Sequence, residues 1–133
     1  MYLGIDYGRK RIGLALGKMM PNGAGVIENR GSLSEIASLI SEKIKEHRVS
    51  GVVIGIPIRS GGEEGELGGE IRELSDLIKK YTGLPVYLEE EQFTSSEASA
   101  ILHNKKDIKK GDIDEMAAVL ILEQFLNNRT RNG

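Results

Sequence analysis

The first sixteen residues, Met-Tyr-Leu-Gly-Ile-Asp-Tyr-Gly-Arg-Lys-Arg-Ile-Gly-Leu-Ala-Leu, leave few folds open to this chain. An apolar run over residues 2–5 ends at Asp6, and a second one occupies residues 12–16. Between them Gly8 and Gly13 bracket three cations, Arg9, Lys10 and Arg11. Two strands joined by a tight turn account for the pattern. The first run is apolar at successive positions, as in a central strand covered on both faces. Asp6 is then expected where that strand runs out, with its carboxylate at the end of the sheet. Gly8 is expected to admit a close backbone or a phosphate. A carboxylate at the tip of a central strand suits metal-assisted phosphoryl transfer. An Asp before Tyr-Gly is also ordinary turn chemistry, so the remaining residues must decide.

Pro21-Asn22-Gly23 signals a second turn, and residues 24–30 read as a third strand. No connection so far is long enough to hold a crossover helix, so these strands form a meander. Ser32 with Glu35 makes a capping box for a first helix, which carries Leu33, Ile36, Ala37, Ile40 and Ile44 as one stripe and ends near His47. Residues 52–56 are too apolar for an exposed strand and read as a buried parallel one, reached by a right-handed crossover. Pro57 stops it, and residues 58–69 form a glycine-rich loop. A second helix carries Leu67, Ile71, Leu74, Ile78 and Tyr81 on one face and ends at Gly83. Residues 84–88 read as a fifth strand, with Pro85 near its start. Thr94 with Glu97 caps a short helix through Ile101 and Leu102, followed by a lysine-rich loop over 104–111. Asp112 or Asp114 opens the last helix, whose 116–122 run is apolar nearly all round, and residues 127–133 read as a frayed basic tail.

The pattern βββαβαβαα, within one domain over residues 1–133, predicts an α/β fold. Its five-stranded mixed sheet has the order 3-2-1-4-5, with helices on both faces. Ligands of such sheets bind beyond the carboxyl ends of the parallel strands. Asp6 is expected past strand one, Glu91 three residues past strand five, and Asp114 at the start of a helix that packs back on the sheet. Three acids from distant parts of the chain thus converge at one edge. Their mutual repulsion calls for a neutralising cation, and two magnesium ions would clamp the oxygens of a phosphodiester. Taken singly, Asp114 is also a favoured helix N-cap, and Glu89-Glu90-Glu91 also a solvated loop.

Composition narrows the chemistry. The chain has 133 residues, 39% apolar and 29% charged, as in an ordinary folded protein. It contains no cysteine, which excludes disulfides, thiolate metal sites and a Cys nucleophile. Its only histidines, His47 and His103, stand apart from other ligand-like groups, so zinc is not expected. A metal must be held by oxygen, which points to magnesium or manganese. No apolar run approaches the roughly 18 residues of a membrane span and no signal-peptide pattern opens the chain, so a cytoplasmic protein is expected. The net charge of −2 does not advertise a nucleic-acid binder. Yet cations cluster at 9–11 and at Lys105, Lys106, Lys109 and Lys110, where they read either as solvated surface or as phosphate contacts.

Four motifs in order carry a resemblance that spans residues 2 to about 126. Gly4-Ile5-Asp6-Tyr7-Gly8 with Arg11-Ile12-Gly13-Leu14-Ala15 is the first; Gly55-Ile56-Pro57 followed by Gly62, Glu64 and Gly65 is the second. Glu91 with Thr94-Ser95 and Glu97-Ala98 is the third; Ile113-Asp114 with Ala117-Ala118-Val119 and Ile121-Leu122 is the fourth. Together they resemble the YqgF family, the Holliday-junction-resolvase-like proteins of the ribonuclease H superfamily, also described as pre-16S ribosomal RNA nucleases. The resemblance implies Asp6, Glu91 and Asp114 as the metal-binding catalytic acids. The chain departs from the family pattern at Gln92, where an arginine is usual, at Gly17-Lys18 in place of Ser-Asp, and at Arg59 in place of an asparagine.

The expected function is therefore a magnesium- or manganese-dependent endonuclease acting on structured RNA, with 16S ribosomal RNA maturation as its setting. Branched DNA is the alternative substrate, and a non-catalytic nucleic-acid-binding module is the alternative class. Arg9, Lys10, Arg11, Arg59, Lys105, Lys106, Lys109 and Lys110 are the expected nucleic-acid contacts. The ribosome is a candidate partner, no membrane is involved, and monomer and homodimer are both open.

Overall fold

The computed structural model describes residues 1–57, 65, 67–91 and 109–132. Its elements are β1 (Tyr2–Tyr7), β2 (Arg11–Gly17), β3 (Asn22–Glu28), α1 (Leu33–Glu46), β4 (Gly51–Ile56), α2 (Gly68–Thr82), β5 (Val86–Glu90) and α3 (Lys110–Asn132). The strands form one sheet of order β3-β2-β1-β4-β5, with β1 antiparallel to β2 and parallel to β4, as the sequence predicts. The expected short helix after Thr94 lies outside the described residues.

Strand alternation sorts the side chains into two cores. Leu3, Ile5, Tyr7, Val52 and Ile54 face α1 and α2, where they meet Ile36, Ile40, Ile71, Leu74 and Ile78. Ala15 and Val53 face α3, against Ala118, Ile121, Leu122 and Phe125. Helices therefore cover both faces. Ser32 caps α1 by accepting from the Glu35 N–H at 3.1 Å, and left-handed Gly83 closes α2, as predicted.

Several boundaries differ from those the sequence suggests, and in the strands the reason is that hydrogen-bond ladders extend past the apolar residues. Asp6 lies inside β1, paired with Gly13, and β1 runs on to Tyr7. The fifth strand is Val86–Glu90, because its partner β4 carries the ladder through the Ile56–Glu90 pair. Glu91 thus follows β5 directly, and its N–H donates to the Ile56 carbonyl at 3.1 Å. The last helix begins at Lys110, where Asp112 Oδ2 accepts from the Lys109 N–H at 2.9 Å, so Asp114 sits inside the first turns and is no N-cap. It continues to Asn132 instead of fraying after residue 126. Arg129 lies over the rings of Tyr2, Tyr87 and Phe125 at 5.4–5.7 Å, a cation–π cluster that ties this last stretch to the sheet. Tyr81 stands 41% exposed, beyond the buried stripe of α2. No helix among the described residues is long and apolar enough to cross a membrane.

Candidate active site

Period-two alternation places Tyr2 and Asp6 on the α3 face of β1, and Tyr87, Glu89 and Glu91 on the same face of β5 and its extension. Along α3, Asp114, Ala118, Leu122, Phe125 and Arg129 recur at helical spacing and form the stripe facing the sheet. One end of this interface is aromatic, with Tyr2 and Tyr87 against Phe125 at 5.3 and 5.0 Å. The other end is acidic.

Parallel pairing between β1 and β4 stops at Ile5 and Ile54. Past that point β4 stays with β5 while β1 stays with β2, so the sheet parts beside Asp6. Asp6 and Glu91 meet there through a hydrogen bond between their carboxyls. Burial pushes Asp6 up to about 7, and the charges of Glu91 and then Asp114 add to the effect. Glu91 is raised by burial and partly restored by its bond to Asp6. Gly55 makes room for the pair: a Cβ there would lie 2.9 Å from Glu91 Oε1 and overlap Ile121.

The third acid takes a different partner. Arg11 Nε donates to Asp114 Oδ2 at 2.7 Å, with the two side chains 26% and 23% exposed. Gly13, two residues along β2, lies against the Asp114 carbonyl, and a Cβ there would overlap it. This glycine lets the start of α3 sit directly on the sheet.

Among the described residues no three His, Asp or Glu side chains are already grouped around a cation position. The structure joins Asp6 to Glu91 and holds Asp114 beside them in an ion pair. The donor chemistry still fits a hard cation: oxygen ligands only, two of them sharing a proton that a cation would replace.

Glu89, Glu90 and Glu91 separate by role. Glu89 accepts from Gln124 at 2.6 Å and Asn128 at 2.9 Å, anchoring β5 to α3. Glu90 is exposed, and only Glu91 enters the acidic cluster. The close backbone expected at Gly8 is the Arg11 carbonyl of its own hairpin, which accepts from the Gly8 N–H at 3.1 Å. Arg9 and Lys10 are exposed on the β1–β2 turn, Lys109 is exposed before α3, and Lys110 is the first residue of α3. Arg59, Lys105 and Lys106 lie outside the described residues. The sequence reading missed the Arg11–Asp114 pair, since nothing local links positions 103 residues apart. It also missed Tyr7, whose hydroxyl donates to Glu70 at 2.9 Å.

A mixed sheet of this order with helices on both faces is a ribonuclease H-like fold. Thermus thermophilus RuvC in complex with a Holliday junction superposes with a TM-score of 0.63 at 16% identity, covering 99% of this chain and 96% of that one. A "Putative pre-16S rRNA nuclease" of Chlamydia trachomatis serovar L2 is 38% identical over 96% of this chain and 92% of its own length. A protein of the same name from Oleidesulfovibrio alaskensis is 37% identical over 95% and 91%. The family model RuvX, described as "Holliday junction resolvase", matches residues 1–128. The chain belongs to this family of phosphodiester-cleaving enzymes.

Proposed function

We propose that the chain is a divalent-metal-dependent endonuclease that cuts structured RNA during maturation of the 16S ribosomal RNA precursor. The carrying observation is the placing of Asp6 and Glu91 together where β1 and β4 part, with Asp114 held beside them by Arg11. The names of the relatives support the RNA substrate. The working setting is the cytoplasm, with precursor ribosomes as partners and a monomer or homodimer as the active form.

Asp6 and Glu91 would hold magnesium or manganese, with Asp114 completing the set when Arg11 releases it. The bound metal supplies Lewis-acid stabilisation of the phosphate and a nucleophilic water. The protein's own groups supply placement and charge. Asp6 gives up the shared proton as the site loads, and Glu91 follows β5 so closely that its backbone is held by the sheet. Arg11 lies between Asp114 and the exposed turn cations. Released from Asp114, it offers a forked donor to a phosphate oxygen.

The family description favours branched DNA as a second reading. Incubating the purified chain with a precursor RNA fragment, linear duplexes and a four-way DNA junction separates the two. Each is tested with magnesium, manganese, calcium and EDTA. RNA cleavage in magnesium or manganese is expected, with none in EDTA. Calcium should bind without supporting turnover, because its larger, looser shell misplaces the water. Cleavage confined to the junction establishes the second reading, and full activity in EDTA removes the metal from the mechanism.

A further inference from the structure

On the face of the sheet opposite the acids, a polar cleft of about 440 Å³ opens where β1 ends. Tyr7 and Arg9 line it from β1 and its turn, Asn29 from the end of β3, and Leu33 from the start of α1. Glu70 and Glu73 line it from the first turns of α2. Tyr7 is only 6% exposed, yet its one polar atom is turned to this cleft. There the hydroxyl donates to Glu70 Oε2 at 2.9 Å, with Asn29 lining the same cleft. Asn29 is itself fixed, donating through Nδ2 to the Gly8 carbonyl at 2.7 Å. The lining is therefore oriented before any ligand arrives, which is how small-molecule pockets of this size gain specificity.

The charge of the cleft says what it can take. Among the described residues that line it, two carboxylates against one guanidinium disfavour a phosphate and favour a group that presents N–H donors. Its position says where that group comes from. Tyr7 follows Asp6 in β1, about 3.8 Å away along the backbone, and their side chains leave opposite faces. A nucleic-acid strand with a phosphate at Asp6 and Glu91 that rounds the end of β1 would bring a neighbouring base to this cleft.

We propose that this cleft receives an unpaired base of the substrate strand next to the cleaved phosphate, and that it selects guanine. The Watson–Crick edge of guanine carries two adjacent donors, N1–H and the N2 amino group, which match a carboxylate acceptor. Adenine presents one donor group beside an acceptor, and uracil a single N–H between two carbonyls. Glu70, already accepting from Tyr7, presents its carboxylate at the cleft, and Glu73 lies one turn further along the same face of α2. Leu33 offers apolar contact, and Arg9 at the rim offers a planar cation of the kind on which splayed bases stack. The inference rests on the nuclease reading, since it needs a strand at Asp6.

The test is fluorescence anisotropy with the full chain and a labelled uridine octaribonucleotide carrying one central guanosine, adenosine or inosine, in EDTA. The guanosine octamer should bind about tenfold more tightly than the adenosine one, a modest value for bidentate base discrimination. Inosine, which lacks the N2 amino group, should fall between them. Glu70→Gln and Glu73→Gln should each erase most of the preference, and Tyr7→Phe, which keeps the ring, should reduce it. Equal affinity of the wild-type chain for all three octamers overturns the proposal, with no variant needed. Because no metal is present, the two readings fail separately. A guanine preference without cleavage in magnesium would sink the nuclease; cleavage without a preference would sink the subsite.

Discussion

Arg11 and Asp114 are joined Nε to Oδ2 at 2.7 Å across 103 residues of sequence, beside the Asp6–Glu91 pair. One cation thus balances one of three neighbouring acids, while burial and the charges of its neighbours raise Asp6 to about 7. A double-mutant cycle on Arg11→Ala and Asp114→Asn should give a coupling energy of about 1–2 kcal/mol in EDTA, as for a partly buried, charge-assisted bond. Urea denaturation of the four proteins measures it. Strictly additive effects would show that the two side chains do not pair in solution.

The proton shared by Asp6 and Glu91 predicts a pH dependence. Asp6 lies at about 7 in the fold, against 3.8 for an exposed aspartate. It therefore binds its proton more tightly folded than unfolded. Its contribution to stability is complete below about pH 4 and is lost as the pH rises through 7. Without metal, Asp6→Asn should match the wild type near pH 4 and exceed it at pH 8. A shift of this size at full burial is worth about 4 kcal/mol; partial exposure lowers the expected gain to about 2 kcal/mol. The same variant should cleave RNA about 10³-fold more slowly, the loss of several kcal/mol of transition-state stabilisation. Chemical denaturation at the two pH values and single-turnover assays decide both halves.

Gly13 and Gly69 offer a contrast in glycine replacement. A methyl at Gly13 would overlap the Asp114 carbonyl, so Gly13→Ala should displace the start of α3, cost about 3 kcal/mol and lose activity. Gly69, in the first turn of α2, has nothing within 4 Å of an added Cβ. Gly69→Ala should stabilise the fold by about 0.5 kcal/mol and leave cleavage intact. Denaturant midpoints of the two variants should move in opposite directions.

The lysines before and at the start of α3 should act through charge alone. If Lys105, Lys106, Lys109 and Lys110 hold phosphates flanking the cleaved one, each contact adds roughly 0.7–0.9 to the slope of log affinity against log salt. Replacing all four with alanine should weaken RNA binding and flatten that slope, with little change in turnover at saturation. Anisotropy titrations at several salt concentrations read it, and an unchanged slope would leave these lysines as solvated surface.

Much of the fold can be read directly from local pattern. The apolar run at 52–56 demands burial on both faces, Ser32 and Glu35 start α1, and Gly83 stops α2. Placing the first strand centrally, with the fourth parallel beside it, then gives the order 3-2-1-4-5. Strand ends are less legible, because Tyr7, Glu89 and Glu90 join ladders that depend on partners elsewhere in the chain. Helical length in α3 is hidden for a related reason: Arg129 reads as part of a charged tail until Tyr2, Tyr87 and Phe125 surround it.

The sequence by itself determined which acids stand near element ends, because alternation and helical periodicity are local and repeat along the chain. Which of them touch was decided only in three dimensions. Glu91, and neither Glu89 nor Glu90, meets Asp6 because the ladder with β4 sets its register, and a shift of one residue would turn it to the other face. Asp114 turns to Arg11 because Gly13 lets α3 settle onto β2. Contacts of this kind depend on packing between segments that no local window contains, and so do the burial and repulsion that move the Asp6 proton.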